Sequence, residues 1–173
     1  MIKIIDDFFN QEDLNRVQDF ALNKAYYEPK FYENTIEKTK ENFYGNRWEF
    51  NHDLNIKKLF IKQSELKFNI KIKEISHSSG IDQRNLDSFR PHIDSIAGCI
   101  QNILIMISGP TAVTNGTVFY EGVEDNCTLD MHVGFRENRA LMFPSDKVHS
   151  SHASNIPNLK RFTATLFLKD YEE

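Results

Sequence analysis

The sequence predicts an α+β, mainly β chain, with helices packed on a β-sandwich or jelly roll. Three observations carry this. Residues 1–64 hold two segments with apolar residues at helical spacing. From about residue 65 to 170 the chain breaks into many short apolar or alternating runs. Turn residues such as Gly109-Pro110, Asn115-Gly116 and Pro144 punctuate those runs. Helices followed by many short strands form a helical layer on a sandwich or jelly roll.

In order along the chain, Ile2-Lys3-Ile4-Ile5 reads as a short strand closed by Asp6-Asp7. Asn10 is a candidate helix N-cap, and Glu12 and Asp13 would meet the positive end of the helix dipole. Leu14, Val17, Phe20 and Ala21 then mark the apolar stripe of a helix over about 11–24. Residues 25–50 hold Tyr26, Tyr27, Phe31, Tyr32, Phe43, Tyr44 and Trp48 without a clean period. They read as core under an irregular loop, with a substrate groove as the other reading.

A second helix is expected over Asp53–Ser64, with Ile56, Leu59, Phe60 and Gln63 on one side and Lys57, Lys58 and Lys62 facing water. Leu66, Phe68, Ile70 and Ile72 alternate with Lys67, Asn69, Lys71 and Lys73, a half-buried strand pattern. Residues 76–88 are polar and read as a loop leading into a strand at Arg90-Pro91-His92-Ile93-Asp94-Ser95. Ile100–Ser108 is apolar and β-branched, as a central strand should be. Strands are expected at 117–120, 140–144 and 161–169, with 125–138 loop-like apart from a short strand near 131–135. In the last strand Arg161, Thr163, Thr165 and Phe167 fall on one face, and Phe162, Ala164, Leu166 and Leu168 on the other.

One domain is expected over all 173 residues, long enough to bury a core without disulfides. The net charge of −4 argues against a nucleic-acid partner, and no basic stripe offers one. Cys99 and Cys127 stand in no metal-like spacing and read as free thiols in a reducing compartment. Acids appear too early for a secretory signal and no apolar run approaches membrane-spanning length, so a cytoplasmic protein is expected.

The chemistry-bearing stretch is His92-x-Asp94. In an extended segment, side chains two apart share a face, roughly 6–7 Å apart along the backbone. An imidazole and a carboxylate converging in this way suit a divalent first-row metal, and one more His completes a two-His, one-carboxylate face with open positions. Of the six histidines, His149 is the best third ligand, because Phe143-Pro144 breaks a strand and His149 follows within a short turn. His152 stays open as the alternative by spacing. His132 in Asp130-x-His132 mirrors the first motif without support nearby. Arg161, opening the last strand on the face of Thr163, offers a fork for a carboxylate, or else an ordinary surface ion pair.

Arg90-Pro91-His92-Ile93-Asp94, Asn115-Gly116-Thr117-Val118-Phe119, Phe143-Pro144-Ser145-Asp146-Lys147-Val148-His149 and Arg161-Phe162-Thr163 together resemble the ordered motifs of the Fe(II)- and 2-oxoglutarate-dependent oxygenases, in their prolyl-4-hydroxylase-like branch. The resemblance covers about residues 87–169, and Ile4-Ile5-Asp6-Asp7-Phe8-Phe9 is similar to the opening of such domains. One departure is the distance from His149 to Arg161, which keeps His152 open as a ligand and Lys160 as a weaker anchor.

The resemblance implies a double-stranded β-helix core with the N-terminal helices packed on it. It implies Fe(II) on His92, Asp94 and His149, with 2-oxoglutarate as co-substrate and O₂ as oxidant. Arg161 and Thr163 would hold the distal carboxylate of 2-oxoglutarate. A substrate, small molecule or peptide, would be hydroxylated as 2-oxoglutarate is decarboxylated to succinate and CO₂. The substrate groove would be built from 26–50, 76–88 and 121–138. Two other classes fit the same residues: a jelly-roll binding protein with a structural or vestigial metal site, and a cupin-like metalloenzyme that does not use 2-oxoglutarate.

Overall fold

The computed structural model describes residues 1–31, 43–85, 91–94, 96–112, 114–123, 126–152 and 160–173. Arg90, Ser95, the aromatic Tyr32 and residues 86–88 of the expected loop 76–88 lie outside them. After β1 (Lys3–Ile5) comes α1 (Gln11–Asp19), which runs on through a π-helical turn to Lys24. Asn10 caps α1 by accepting from the Asp13 N–H at 2.8 Å. Strands β2 (Glu28–Phe31) and β3 (Phe43–Glu49) precede α2 (Leu54–Phe68), which is followed by β4 (Lys71–Ile75) and β5 (Gly80–Asn85). The rest of the chain supplies β6 (Gln101–Ser108), β7 (Gly116–Val123), β8 (Asn126–Gly134), β9 (Arg139–Pro144), β10 (His149–His152) and β11 (Lys160–Glu172).

These strands form two antiparallel sheets, the double-stranded β-helix with helices on its outer face. The larger sheet runs β1-β9-β6-β11-β5-β3-β2, with β4 pairing the far end of β11; the smaller runs β10-β7-β8. The central strands of the larger sheet are buried on both sides. On the helix side Ile103, Ile105, Ala140, Met142, Ala164, Leu166 and Leu168 pack with Val17, Ala21, Ile56 and Phe60. On the other side Met106, Leu141 and Phe143 meet Phe119, Val133 and Phe135. Burial on both faces explains why β6 and β9 read as continuous apolar runs. Among the described residues no helix is long and apolar enough to cross a membrane.

The N-terminal strand is tied in by polar chemistry. Asp6 takes a two-pronged contact from Arg139, at 2.6 and 3.0 Å, and a further hydrogen bond from Arg136 at 2.9 Å. Buried Asn138 donates to the Phe9 carbonyl at 2.9 Å and accepts from the Phe9 N–H at 2.8 Å. The Phe8-Phe9 pair is thereby held under α2, with the Phe9 ring edge-on to Phe60 at 5.3 Å.

Four expectations need correction. The helix predicted to end at Ser64 continues to Phe68, and the strand predicted over 66–73 is confined to Lys71–Ile75. Asp53 caps α2 by accepting from Asn55 and Ile56, and Asn69 ends it in the left-handed region at φ 55°. Leu66 therefore sits exposed on the helix while Phe68 is buried beneath it. The alternation from 66 to 72 was the accidental join of a helix end and a strand start.

Second, residues 80–85, expected as loop, form β5 between β3 and β11. At Gly80 the two strands touch so closely that a Cβ would lie 2.1 Å from the Trp48 carbonyl oxygen, so only glycine fits. Third, β8 extends across Asn126–Gly134, where only a short strand near 131–135 was expected. Its outer residues lie at a sheet edge and are exposed, so no apolar alternation announces them. Fourth, the 25–50 segment is not irregular throughout, since β2 and β3 lie within it.

The helix assignment has a direct test. Phe60 is fully buried against Phe9 and Phe50, so Phe60→Ala should cost about 3–5 kcal/mol in urea unfolding. Leu66→Ala should stay within about 0.5 kcal/mol. A large loss at Leu66 would support the strand reading instead.

Candidate functional site

His92, Asp94 and His149 come together at one end of a cleft between the two sheets, with one donor atom from each lying within 4.8 Å of the others. The predicted strand at 90–95 is absent among the described residues. In its place, His92 makes a single antiparallel bridge with His149: each N–H donates to the other's carbonyl at 2.9 Å. That bridge sets the two imidazoles 4.5 Å apart, and the Asp94 N–H donating to Ser145 O at 3.2 Å keeps the carboxylate alongside. His92 Nε2 is 3.7 Å from Asp94 Oδ1, and His149 Nε2 is 3.4 Å from Asp94 Oδ2.

The donors are oriented for a metal. His149 Nδ1 lies 2.9 Å from the Lys147 carbonyl, which can only accept, so Nδ1 carries a proton and Nε2 is the nitrogen turned to the trio. The His149 ring is also clamped edge-on by Phe143 at 4.9 Å. Asp94 Oδ2 accepts a 2.6 Å hydrogen bond from Asn102 Nδ2, leaving Oδ1 for other work. Desolvation pushes the Asp94 carboxyl up, but His149, His92 and Arg47 outweigh it and hold its pKa below the usual range, so it is ionised. Two imidazole nitrogens and a carboxylate with open positions are the donor set of non-haem Fe(II) sites.

For His152, the alternative ligand, only the backbone is described. It lies at the end of β10, opposite Gly116. His132 is exposed on β8.

Arg161 is not the surface residue its alternative reading supposed. It is 6% exposed and lines the same cleft with Thr163. Its polar contacts are neutral: Nη1 donates to Asn115 Oδ1 at 3.2 Å and to the Gly116 carbonyl at 2.9 Å. Asn115 is itself fixed by donating to the Pro110 carbonyl. Gly109 passes over the stem of Arg161, where a Cβ would meet Arg161 Cγ at 3.2 Å and the Phe135 ring at 3.1 Å. Burial, reinforced by Arg84 and opposed by Asp82, pushes the Arg161 pKa down to about 9, still charged at neutral pH. A buried cation with no carboxylate against it among the described residues is a seat prepared for an anion. Lys160, the other anchor considered, is exposed.

The cleft is narrow, with a cavity volume of about 50 Å³, and opens to solvent. Sequence reasoning missed part of the cleft lining. Arg47 on β3 pairs with Asp82 on β5 through two 2.8 Å bonds, donates to the Ser78 carbonyl at 2.9 Å and covers the Phe167 ring at 5.3 Å. Arg84 lies next along β5. Asp82 and Arg84 share one face, but Gln83 and Asn85 between and after them are polar too, so the run shows no alternation and reads as loop. Asn102 was missed as well, since it and Gln101 stand together at the start of an otherwise apolar run.

No protein-family model matches the chain, and no curated protein sequence matches it. Solved structures do. The non-haem alpha-ketoglutarate-dependent carbocyclase SnoK from nogalamycin biosynthesis superposes with a TM-score of 0.68 at 9% identity, covering 96% of this chain and 79% of that one. A prolyl hydroxylase from Trichoplax adhaerens, bound to a hypoxia-inducible-factor peptide fragment, gives 0.67 at 12%, covering 96% and 82%. The epimerase SnoN, with Fe³⁺, alpha-ketoglutarate and nogalamycin RO bound, gives 0.61 at 8%, covering 99% and 78%. The chain therefore has the jelly-roll fold of the Fe(II)- and 2-oxoglutarate-dependent oxygenases, prolyl hydroxylases among them.

Asn102 offers a test of the cluster's support. Asn102→Ala should weaken Mn(II) binding roughly 10- to 100-fold in a calorimetric titration. Unchanged affinity would mean that Asp94 needs no such support.

Proposed function

We propose that this protein is an Fe(II)- and 2-oxoglutarate-dependent dioxygenase that hydroxylates a C–H bond of a small molecule or peptide. The observation that carries the reading is the union, in one cleft, of the His92–Asp94–His149 cluster with buried Arg161. A metal cluster alone fits a cupin-like enzyme, and a buried arginine alone fits many binding sites. The pair fits a co-substrate with an oxo-acid head and a distal carboxylate. The SnoN complex, holding Fe³⁺ and alpha-ketoglutarate on the same fold, supports this choice.

In this reading His92 Nε2, His149 Nε2 and an Asp94 carboxylate oxygen hold the iron. Iron, when bound with 2-oxoglutarate, supplies O₂ activation coupled to decarboxylation to succinate and CO₂. The protein's own contribution is placement. Arg161 takes the distal carboxylate through charge-assisted bonds, and Thr163, buried on the same strand face, adds a hydroxyl. Asn115 and the Gly116 carbonyl hold the guanidinium in place before the ligand arrives, so little ordering remains to be done on binding. Phe143, Leu104 and Phe167 give the cleft apolar walls that limit water near the reacting groups. The neighbours act in different settings, one with a peptide and others in nogalamycin biosynthesis, and both substrate classes remain within this proposal.

An anaerobic Fe(II) titration tests the reading. A visible charge-transfer band should appear only when 2-oxoglutarate is added, and succinate should form on admitting O₂. His92→Ala and Asp94→Ala should each abolish succinate formation, while Arg161→Ala should raise the 2-oxoglutarate requirement roughly 10- to 100-fold. Metal binding without the band would favour the cupin-like class, and no metal binding a jelly-roll binding protein. An active Asp94→Ala variant would overturn the proposal. If His152→Ala loses iron and His149→Ala keeps it, His152 is the ligand.

A further inference from the structure

The Asn115-Gly116 turn does more than redirect the chain, which is all its sequence announces. Asn115 is fully buried, and each of its polar groups has a partner. Its N–H donates to the Ala112 carbonyl at 2.9 Å, and its carbonyl accepts from the Phe135 N–H at 2.7 Å. Its side-chain Nδ2 donates to the Pro110 carbonyl, which can only accept, so Oδ1 is the atom turned to Arg161 Nη1, 3.2 Å away. The amide is thereby fixed at both ends, its nitrogen by a carbonyl and its oxygen by a guanidinium. The Gly116 carbonyl takes a second bond from Nη1 at 2.9 Å. Among the described residues Arg161 makes no other hydrogen bond, so its Nε–Nη2 edge remains. An arginine edge of this kind grips a carboxylate through two parallel bonds.

Neutrality is what singles out an asparagine here. An aspartate has nearly the same shape, but it would set a carboxylate oxygen against the Pro110 carbonyl and a full negative charge against Arg161. That pair would satisfy the buried guanidinium from within the chain, and an entering carboxylate would have to compete with it. An amide oxygen fixes the guanidinium and leaves its charge uncompensated. We propose that Asn115 is a positioning residue for the co-substrate: it holds Arg161 by Nη1 and, being neutral, reserves the charge and the Nε–Nη2 edge for the distal carboxylate of the 2-oxo diacid. The inference rests on the 2-oxoglutarate reading of the cleft. It adds that selection of a diacid over a monoacid is set in part by a turn residue acting through Arg161.

The test is calorimetric binding to the Mn(II)-loaded protein, comparing 2-oxoglutarate with 2-oxobutyrate, which keeps the oxo-acid head and lacks the distal carboxylate. Asn115→Asp should weaken 2-oxoglutarate binding roughly 10- to 100-fold, as far as Arg161→Ala does, and leave 2-oxobutyrate binding unchanged. Asn115→Ala removes the acceptor without supplying a charge. It should weaken 2-oxoglutarate binding about threefold, again with 2-oxobutyrate unchanged. If Asn115→Asp does not fold, Asn115→Ala decides alone, since a turn residue with a structural role only would move both ligands alike. Equal weakening of both ligands, wild-type 2-oxoglutarate binding in either folded variant, or a loss in Asn115→Ala as large as in Asn115→Asp would overturn this role while leaving the wild-type reading intact. If the wild type does not prefer 2-oxoglutarate to 2-oxobutyrate, the 2-oxoglutarate reading falls, and the role of Asn115 falls with it.

Discussion

Two backbone hydrogen bonds between His92 and His149 are the contact on which the site depends. Each imidazole belongs to a different part of the chain, one just before the central strand and the other at the start of the short strand on the opposite sheet. Without the bridge, the ring separation and the approach of Asp94 would be set by loops alone. With it, the backbone fixes both rings, and Lys147, Phe143 and Asn102 then refine their direction. The smaller sheet carries His149 on β10, while the larger sheet carries Asn102 on β6 and Arg161 on β11. The cleft is the seam of the two sheets, so its geometry follows from how they close on each other.

The same closure explains the distribution of charge. A sheet buried on both sides should exclude polar side chains, and the helix-facing side does. The side facing the smaller sheet carries Arg47, Asp82, Arg84 and Arg161 instead. Removing one partner from a buried ion pair costs about 3–5 kcal/mol, and Arg161, with no carboxylate against it among the described residues, is a standing cost to the fold. A chain that accepts such costs along one wall of a cleft has given up stability where a ligand can return it on binding.

Much of this was readable from the residues. The two faces of β11 separate in the sequence as they do in the structure, because a strand's period is fixed at two and both its faces carry a signal. The central strand, the turns at Gly109-Pro110 and Asn115-Gly116, and the break at Pro144 were legible for similar local reasons. The misreadings share a cause. Residues 66–73 alternate by coincidence across a helix end, and only the caps at Asp53 and Asn69 reveal the boundary. Residues 80–85 are a strand whose cleft face is charged, so its polarity says loop while its neighbours β3 and β11 impose a ladder. The contact of Asn102 with Asp94 comes from a turn outside any strand, and the placing of Arg84 opposite Arg161 from register between strands distant in sequence.

The central claim is that the metal cluster and the arginine end of the cleft serve one bound co-substrate. Thermodynamic linkage tests it most directly: Mn(II) affinity measured with and without saturating 2-oxoglutarate, and 2-oxoglutarate affinity with and without Mn(II). If one molecule spans both ends, each ligand raises the affinity of the other by the same factor, and Arg161→Ala reduces that factor. Independent binding of the two, or 2-oxoglutarate binding equally tightly to the metal-free protein, would contradict the account.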